Sequence, residues 1–145
     1  MTRRAGAAAV VALALVIGLA AGCSDRADFD DPVTFGDVEH VVRDAGLSIC
    51  STSRHGDGLA NQAEATRVYR IGEVCPSDDG VRLVVDRFAD EQHRDGAARQ
   101  FEVLARPRGD GVVWTWGPLT LFATAEHDDA VMDRLTAALD EAGAS

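Results

Sequence analysis

The chain opens on a long uncharged block and then turns periodic. Ala5 to Gly22 carries no charge and no strongly polar side chain. Phe35, Val38, Val41, Val42 and Ala45 then repeat at helical spacing, between a capping Thr34 with Asp37 in the first turn and a terminating Gly46. Leu47 to Ser51 reads as a short strand. Thr52 to Thr66 is polar, contains Gly56, Asp57 and Gly58, and reads as a long loop with a helical turn over Leu59 to Ala65. Arg67 to Val74 alternates as a strand and runs into the turn Cys75-Pro-Ser-Asp-Asp-Gly80. Val81, Leu83 and Val85 mark one face of a third strand.

A second helix is expected over Ala89 to Arg106, with Ala97, Phe101, Leu104 and Ala105 on its apolar side, and Pro107 to Gly111 ends it. Val112 to Trp116 and Leu119 to Thr124 read as strands joined tightly at Gly117-Pro118. A last helix begins near Asp128 and turns Val131, Leu135, Ala138, Leu139 and Ala142 inward. Asp128 and Asp129 lie at its positive end, where acidic side chains are favoured. The order α-β-β-β-α-β-β-α is dominated by hairpins, and only the third strand, second helix and fourth strand suit a crossover. It predicts one α+β domain over 34–145: an antiparallel or mixed sheet of about five strands, with three helices packed on one face.

Charge narrows the partners. The chain has 145 residues, 14 basic and 24 acidic, for a net charge of −10. All the basic residues are arginine, in keeping with a GC-rich coding bias that also favours Ala, Asp, Gly and Val. Without Arg3 and Arg4 twelve basic residues face the 24 acidic ones, and the balance becomes −12. So acidic a surface repels phosphate backbones and anionic headgroups, which argues against nucleic acid and against electrostatic docking on a membrane.

The first residues supply another route to a membrane. Met1-Thr-Arg-Arg4, the apolar block and the small residues Ala20-Ala21-Gly22 make the three regions of a secretory signal peptide over 1–22. The end Leu19-Ala20-Ala21-Gly22-Cys23 resembles the bacterial lipobox, with Ala20 where Leu is usual and the Leu one place earlier. The resemblance implies a diacylated Cys23 at the mature N-terminus, on the extracytoplasmic side of the cell membrane. Two other readings stay open: a plain cleavage site that releases a soluble protein, and an uncleaved span of weak hydrophobicity. Residues 23–33 then form a short, polar, flexible tether from the anchor to the domain. With the v-W-x-W-G-P hairpin before a C-terminal helix, the pattern is similar to small lipoproteins of high-GC Gram-positive bacteria. That resemblance implies a location and no activity.

Cys23 aside, Cys50 and Cys75 remain, and beyond the membrane an even pair suits one disulfide. No C-x-x-C and no neighbouring His favour a redox or metal site. The disulfide sits awkwardly with a simple hairpin of the two flanking strands. In that hairpin Cys50 faces the start of the second strand and Cys75 lies beyond its far end, roughly 25 Å away. A disulfide tolerates a Cα separation of only about 4.4–6.8 Å. Either the second strand is short and bent near Gly72, or the strands pair differently.

No catalytic set, metal site or cofactor motif emerges. His40, His55, His93 and His127 fall in different elements, and none has the i, i+4 spacing of a helical metal site. His127-Asp128-Asp129 reads as a helix cap before a cation site. Asp86, Asp90 and Glu91 could make a carboxylate pair, but a charged strand end leading into an acidic first turn explains them. Ser48, Ser51, Thr52 and Ser53 lack a G-x-S-x-G or S-x-x-K context. Trp114 and Trp116 share one face of a strand, with Tyr69 alternating on a neighbour. Packed beneath a helix they are core; on an open face they are a binding platform. Three functions follow: an anchored, non-enzymatic binding module for a protein or small molecule; an envelope hydrolase using carboxylates or His127; and a small-molecule or ion carrier using the Trp face.

Overall fold

A computed structural model of the chain describes residues 26–54, 62–76, 80–107, 109, 111–125 and 127–145. Cys23, His55 and residues 59–61 of the helical turn expected over Leu59 to Ala65 lie outside the described residues. The rest of that stretch, 62–65, is not helical and runs into a strand at Ala65. The elements are α1 (Phe35–Asp44), β1 (Ser48–Ser53), β2 (Ala65–Gly72), β3 (Val81–Arg87), α2 (Glu91–Ala105), β4 (Gly111–Trp116), β5 (Leu119–Thr124) and α3 (Asp129–Glu141). The strands form one antiparallel sheet in the order β1-β2-β3-β5-β4. The expected α+β order is the order found. Among the described residues no helix is long and apolar enough to cross a membrane.

Local chemistry sets the helix starts. The Asp37 carboxylate accepts from both the Thr34 backbone N–H and its hydroxyl at 2.7 Å, which closes the first turn of α1. Asp90 accepts from the His93 N–H at 2.9 Å, and Asp128 from the Val131 N–H at 3.1 Å, so both act as side-chain caps. Between β4 and β5, Gly117 takes a φ of 55° in a two-residue turn before Pro118. A Cβ there would also meet the Asp31 carbonyl at 2.8 Å.

The helices do not share one face of the sheet. α1 and α3 pack together over one face, with Val38, Val42, Leu135 and Leu139 closing on Ile71, Leu83, Val85 and Leu121. α2 carries the chain from β3 past β5 to the outer strand β4, and lies on the opposite face. There Phe101 stacks on Phe122 with centroids 5.0 Å apart, beside Val84, Phe88 and Ala97. The reason is in the strands. β3 and β5 are apolar on both sides, through Leu83 and Val85 against Val84, and Leu121 against Phe122, so both faces need cover.

β1 and β2 differ from expectation in extent, and this removes the conflict over the cysteines. β1 runs on to Ser53 and β2 begins at Ala65, so the polar stretch between them is shorter than the sequence suggested. The register pairs Ser48 with Gly72 and Ser53 with Val68, with a bulge between Ile49 and Ser51 at Cys50. Cys50 therefore faces the end of β2. The strand stops at Gly72, and the chain bends back to place Cys75 in a disulfide with Cys50, Cα atoms 5.2 Å apart. Hairpin and disulfide coexist.

The residues expected as a free tether are largely attached. The Ala27 N–H donates to the Gly143 carbonyl at 3.3 Å, and Ala27 and Val33 pack against the main core. Phe29 lies under the Arg94 guanidinium, 5.3 Å from ring centroid to Cζ. The chain from 27 to 33 thus follows the sheet end marked by Gly117.

Candidate functional site

The three aromatic residues singled out from the sequence are inside. Tyr69, Trp114 and Trp116 retain 1 %, 3 % and 7 % of their exposure, within the core under α1 and α3. Their polar atoms are satisfied: the Trp114 indole N–H donates to Asp140 at 3.0 Å, and the Tyr69 hydroxyl donates to Glu39 at 3.1 Å. Burial pushes the Tyr69 phenol up to about 12. Glu39 also receives Arg67 at 2.9 Å, and that guanidinium stacks over Phe35 at 4.6 Å. These are scaffold contacts, and they leave no aromatic platform at the surface.

The carboxylates and histidines weighed for hydrolysis fall into separate local contacts, Asp90 with His93 among them. Asp86 is buried against Thr66, whose hydroxyl donates to it; burial pushes its carboxyl up, partly offset by that hydrogen bond. Asp90 caps α2 and pairs with the His93 imidazole at 2.5 Å; the His93 backbone N–H holds its carboxyl down. Glu91 pairs with Arg94, and His40 with Asp44. His127 is exposed beside the capping Asp128. Among the described residues no three His, Cys, Asp or Glu side chains gather to hold a metal ion.

The accessible chemistry lies on the face that α2 only half covers. α2 packs on β4 and β5, and among the described elements no helix packs over that side of β1 and β2. By strand alternation Val68, Arg70, Arg82 and Val84 share this side. Register places Ser51, Arg70, Arg82 and Thr124 in one row across four strands, with Arg70 directly opposite Arg82. Like charges so paired are destabilising. Five other arginines, Arg43, Arg67, Arg87, Arg94 and Arg134, each meet a carboxylate within 3.5 Å. Arg70 and Arg82, like Arg26, Arg54, Arg99 and Arg106, meet none among the described residues, but only Arg70 and Arg82 lie opposite each other in the sheet register.

α2 forms the wall of this half-open face. A shallow cleft of about 340 Å³ runs between Gln62, Phe88 and the helix positions Gln92, His93 and Gln100. A more apolar hollow of about 580 Å³ continues along Arg99, Gln100, Val103 and Leu104. Val103 and Leu104 are 60 % and 48 % exposed, although the helical spacing assigned Leu104 to the buried stripe. The buried line of α2 runs through Arg94, Ala97, Ala98, Phe101 and Ala105, so Leu104 falls on the flank of that line and Val103 farther out. Sequence reasoning missed the Arg70/Arg82 pair because a cross-strand contact depends on register. Its local signal was Val68 and Arg70 alternating with Tyr69 and Ile71.

Compared with family models, with curated proteins and with solved structures, the chain matches none of them.

Proposed function

We propose that this chain is a non-enzymatic binding module, held on the extracytoplasmic side of a cell membrane by a lipid on Cys23. The observation that carries this reading is Cys23 itself, set directly after Leu19-Ala20-Ala21-Gly22 and four residues before Ala27, whose N–H bonds to the domain. A leash of four residues reaches at most roughly 14 Å. Attachment by charge is disfavoured, because a domain of net −12, counted without residues 1–22, is repelled by anionic lipid. The Cys50–Cys75 disulfide adds support, since such bonds persist in oxidising compartments.

Binding is favoured over hydrolysis by where the reactive groups sit. Asp86 is bonded to Thr66, Glu91 is paired with Arg94, and Asp90 and His93 bond to each other at the cap of α2. The half-open face instead offers the Arg70 and Arg82 side chains beside the exposed Val103 and Leu104.

Membrane fractionation of cells producing the full chain tests the anchor. The natural chain is expected in the membrane fraction and Cys23→Ala outside it. Retention of Cys23→Ala with residues 1–22 still attached would establish a spanning segment instead.

A further inference from the structure

The tether and the registers together give the domain two ends. Val33 and Asp31 lie against Gly117, and the Arg94 guanidinium donates to the Gly117 carbonyl at 2.7 Å, so 27–33, the β4–β5 turn and the start of α2 share one end. β5 runs away from that turn, and Thr124 pairs with Gly111 and Arg82 at the opposite end. The end of α2 is there too, since a Cβ on Gly111 would meet Ala105 at 2.9 Å. Among the described residues the large exposed aliphatic side chains, Val74, Val103 and Leu104, fall toward this far end, as do Arg70 and Arg82.

We infer that the far end of the half-open face, built on Arg70, Arg82 and Leu104, docks an acidic, extended segment of a partner protein. This deepens the reading above: a lipid at Cys23 holds the Gly117 end toward the bilayer and turns the far end outward. Three observations select the partner. On an acidic protein, two cross-strand arginines that meet no carboxylate among the described residues call for anionic oxygens from outside, which arginine binds in forked pairs. Val103, Leu104 and the half-buried Val68 call for aliphatic side chains beside those oxygens, which a phosphate polymer lacks. The backbone edges differ as well. Ser145 exchanges hydrogen bonds with Thr115 at 2.7 and 3.0 Å and occupies the outer edge of β4 at that one residue, near the Gly117 end, whereas β1 ends the sheet beside Arg70 and can accept an added strand.

The test is fluorescence anisotropy with the full-length chain in non-ionic detergent and a labelled short peptide alternating Glu and Val. Saturable binding is expected, weakened about tenfold or more by the pair Arg70→Glu and Arg82→Glu, and several-fold by Leu104→Ser. The milder pair Arg70→Gln and Arg82→Gln should weaken binding in the same direction with an unchanged melting curve. An alternating Lys and Val peptide should not bind. No saturable binding of the acidic peptide, or equal affinity in folded charge-reversed protein, overturns the inference. So does displacement by inorganic polyphosphate with no effect of Leu104→Ser, which would assign the face to a phosphate polymer. The same titration on Cys23→Ala should be unchanged, so loss of the anchor and loss of this docking face are read separately.

Discussion

On the face covered by α1 and α3, Ile71, Leu83, Leu121 and Leu135 are fully excluded from solvent, and the polar atoms of Tyr69 and Trp114 have partners. On the opposite face the sheet is apolar only beneath α2, around Val84, Phe101 and Phe122; one and two strands away it presents Arg82 and Arg70. The two faces are built from alternate residues of the same strands, so the contrast in cover goes with a contrast in side chains. A covered face rewards shape and volume. A half-covered face can keep an unfavourable pair such as Arg70 and Arg82, because solvent screens it and folding does not depend on it.

The largest expected effect is on the covered face. Leu121→Ala should cost about 2–5 kcal/mol in urea unfolding, because it removes a fully buried side chain between two layers. Leu104→Ala, on the exposed flank of α2, should stay within about 0.5 kcal/mol. Comparable losses at the two positions would erase the contrast.

Next in size is the bond joining β1 to the bend after β2. Replacing Cys50 and Cys75 together by Ser should cost about 3 kcal/mol, from a closed loop spanning a sequence separation of 25. Reduction of the natural protein should lower the unfolding midpoint similarly. An unchanged midpoint would mean that the hairpin register alone holds this corner.

Asp86 sharpens the comparison through pH. Its carboxyl is raised by burial, so the folded state binds the proton more tightly than the unfolded state. The resulting cost is present at neutral pH and is relieved as pH falls through the raised value toward the ordinary aspartate value of 3.8. Asp86→Asn keeps an acceptor for the Thr66 hydroxyl and should be at least as stable as the natural protein at pH 7, without the relative gain on acidification. A clearly less stable variant at pH 7 would show that the ionised carboxylate has a role the Thr66 bond does not explain.

The smallest effect belongs to the open face. Arg70→Gln should change stability by no more than about 0.5 kcal/mol, in the stabilising direction, because it relieves repulsion from Arg82. A large loss would place Arg70 among the structural residues.

What was legible in the sequence follows the same division. Thr34 with Asp37, Gly117-Pro118 and the apolar periods of α1 and α3 are local signals, and the structure follows them. The length of β1 was hidden because Ser51, Thr52 and Ser53 are as common in loops as on an exposed edge strand. Strand parity put Trp114 and Trp116 on one face, but only the packing of α3 decides that the face is closed. The half-cover by α2 was not legible at all. It follows from the place of β5 between β3 and β4, a long-range pairing that no window of sequence contains.

The division into a structural face and a working face is tested most directly by hydroxyl-radical footprinting of the full chain on right-side-out membrane vesicles. The prediction is fast oxidation at Val103 and Leu104 with strong protection of Tyr69, Trp114 and Trp116. Oxidation of the two tryptophans as readily as Leu104 would contradict it, and would return the binding surface to the Trp face.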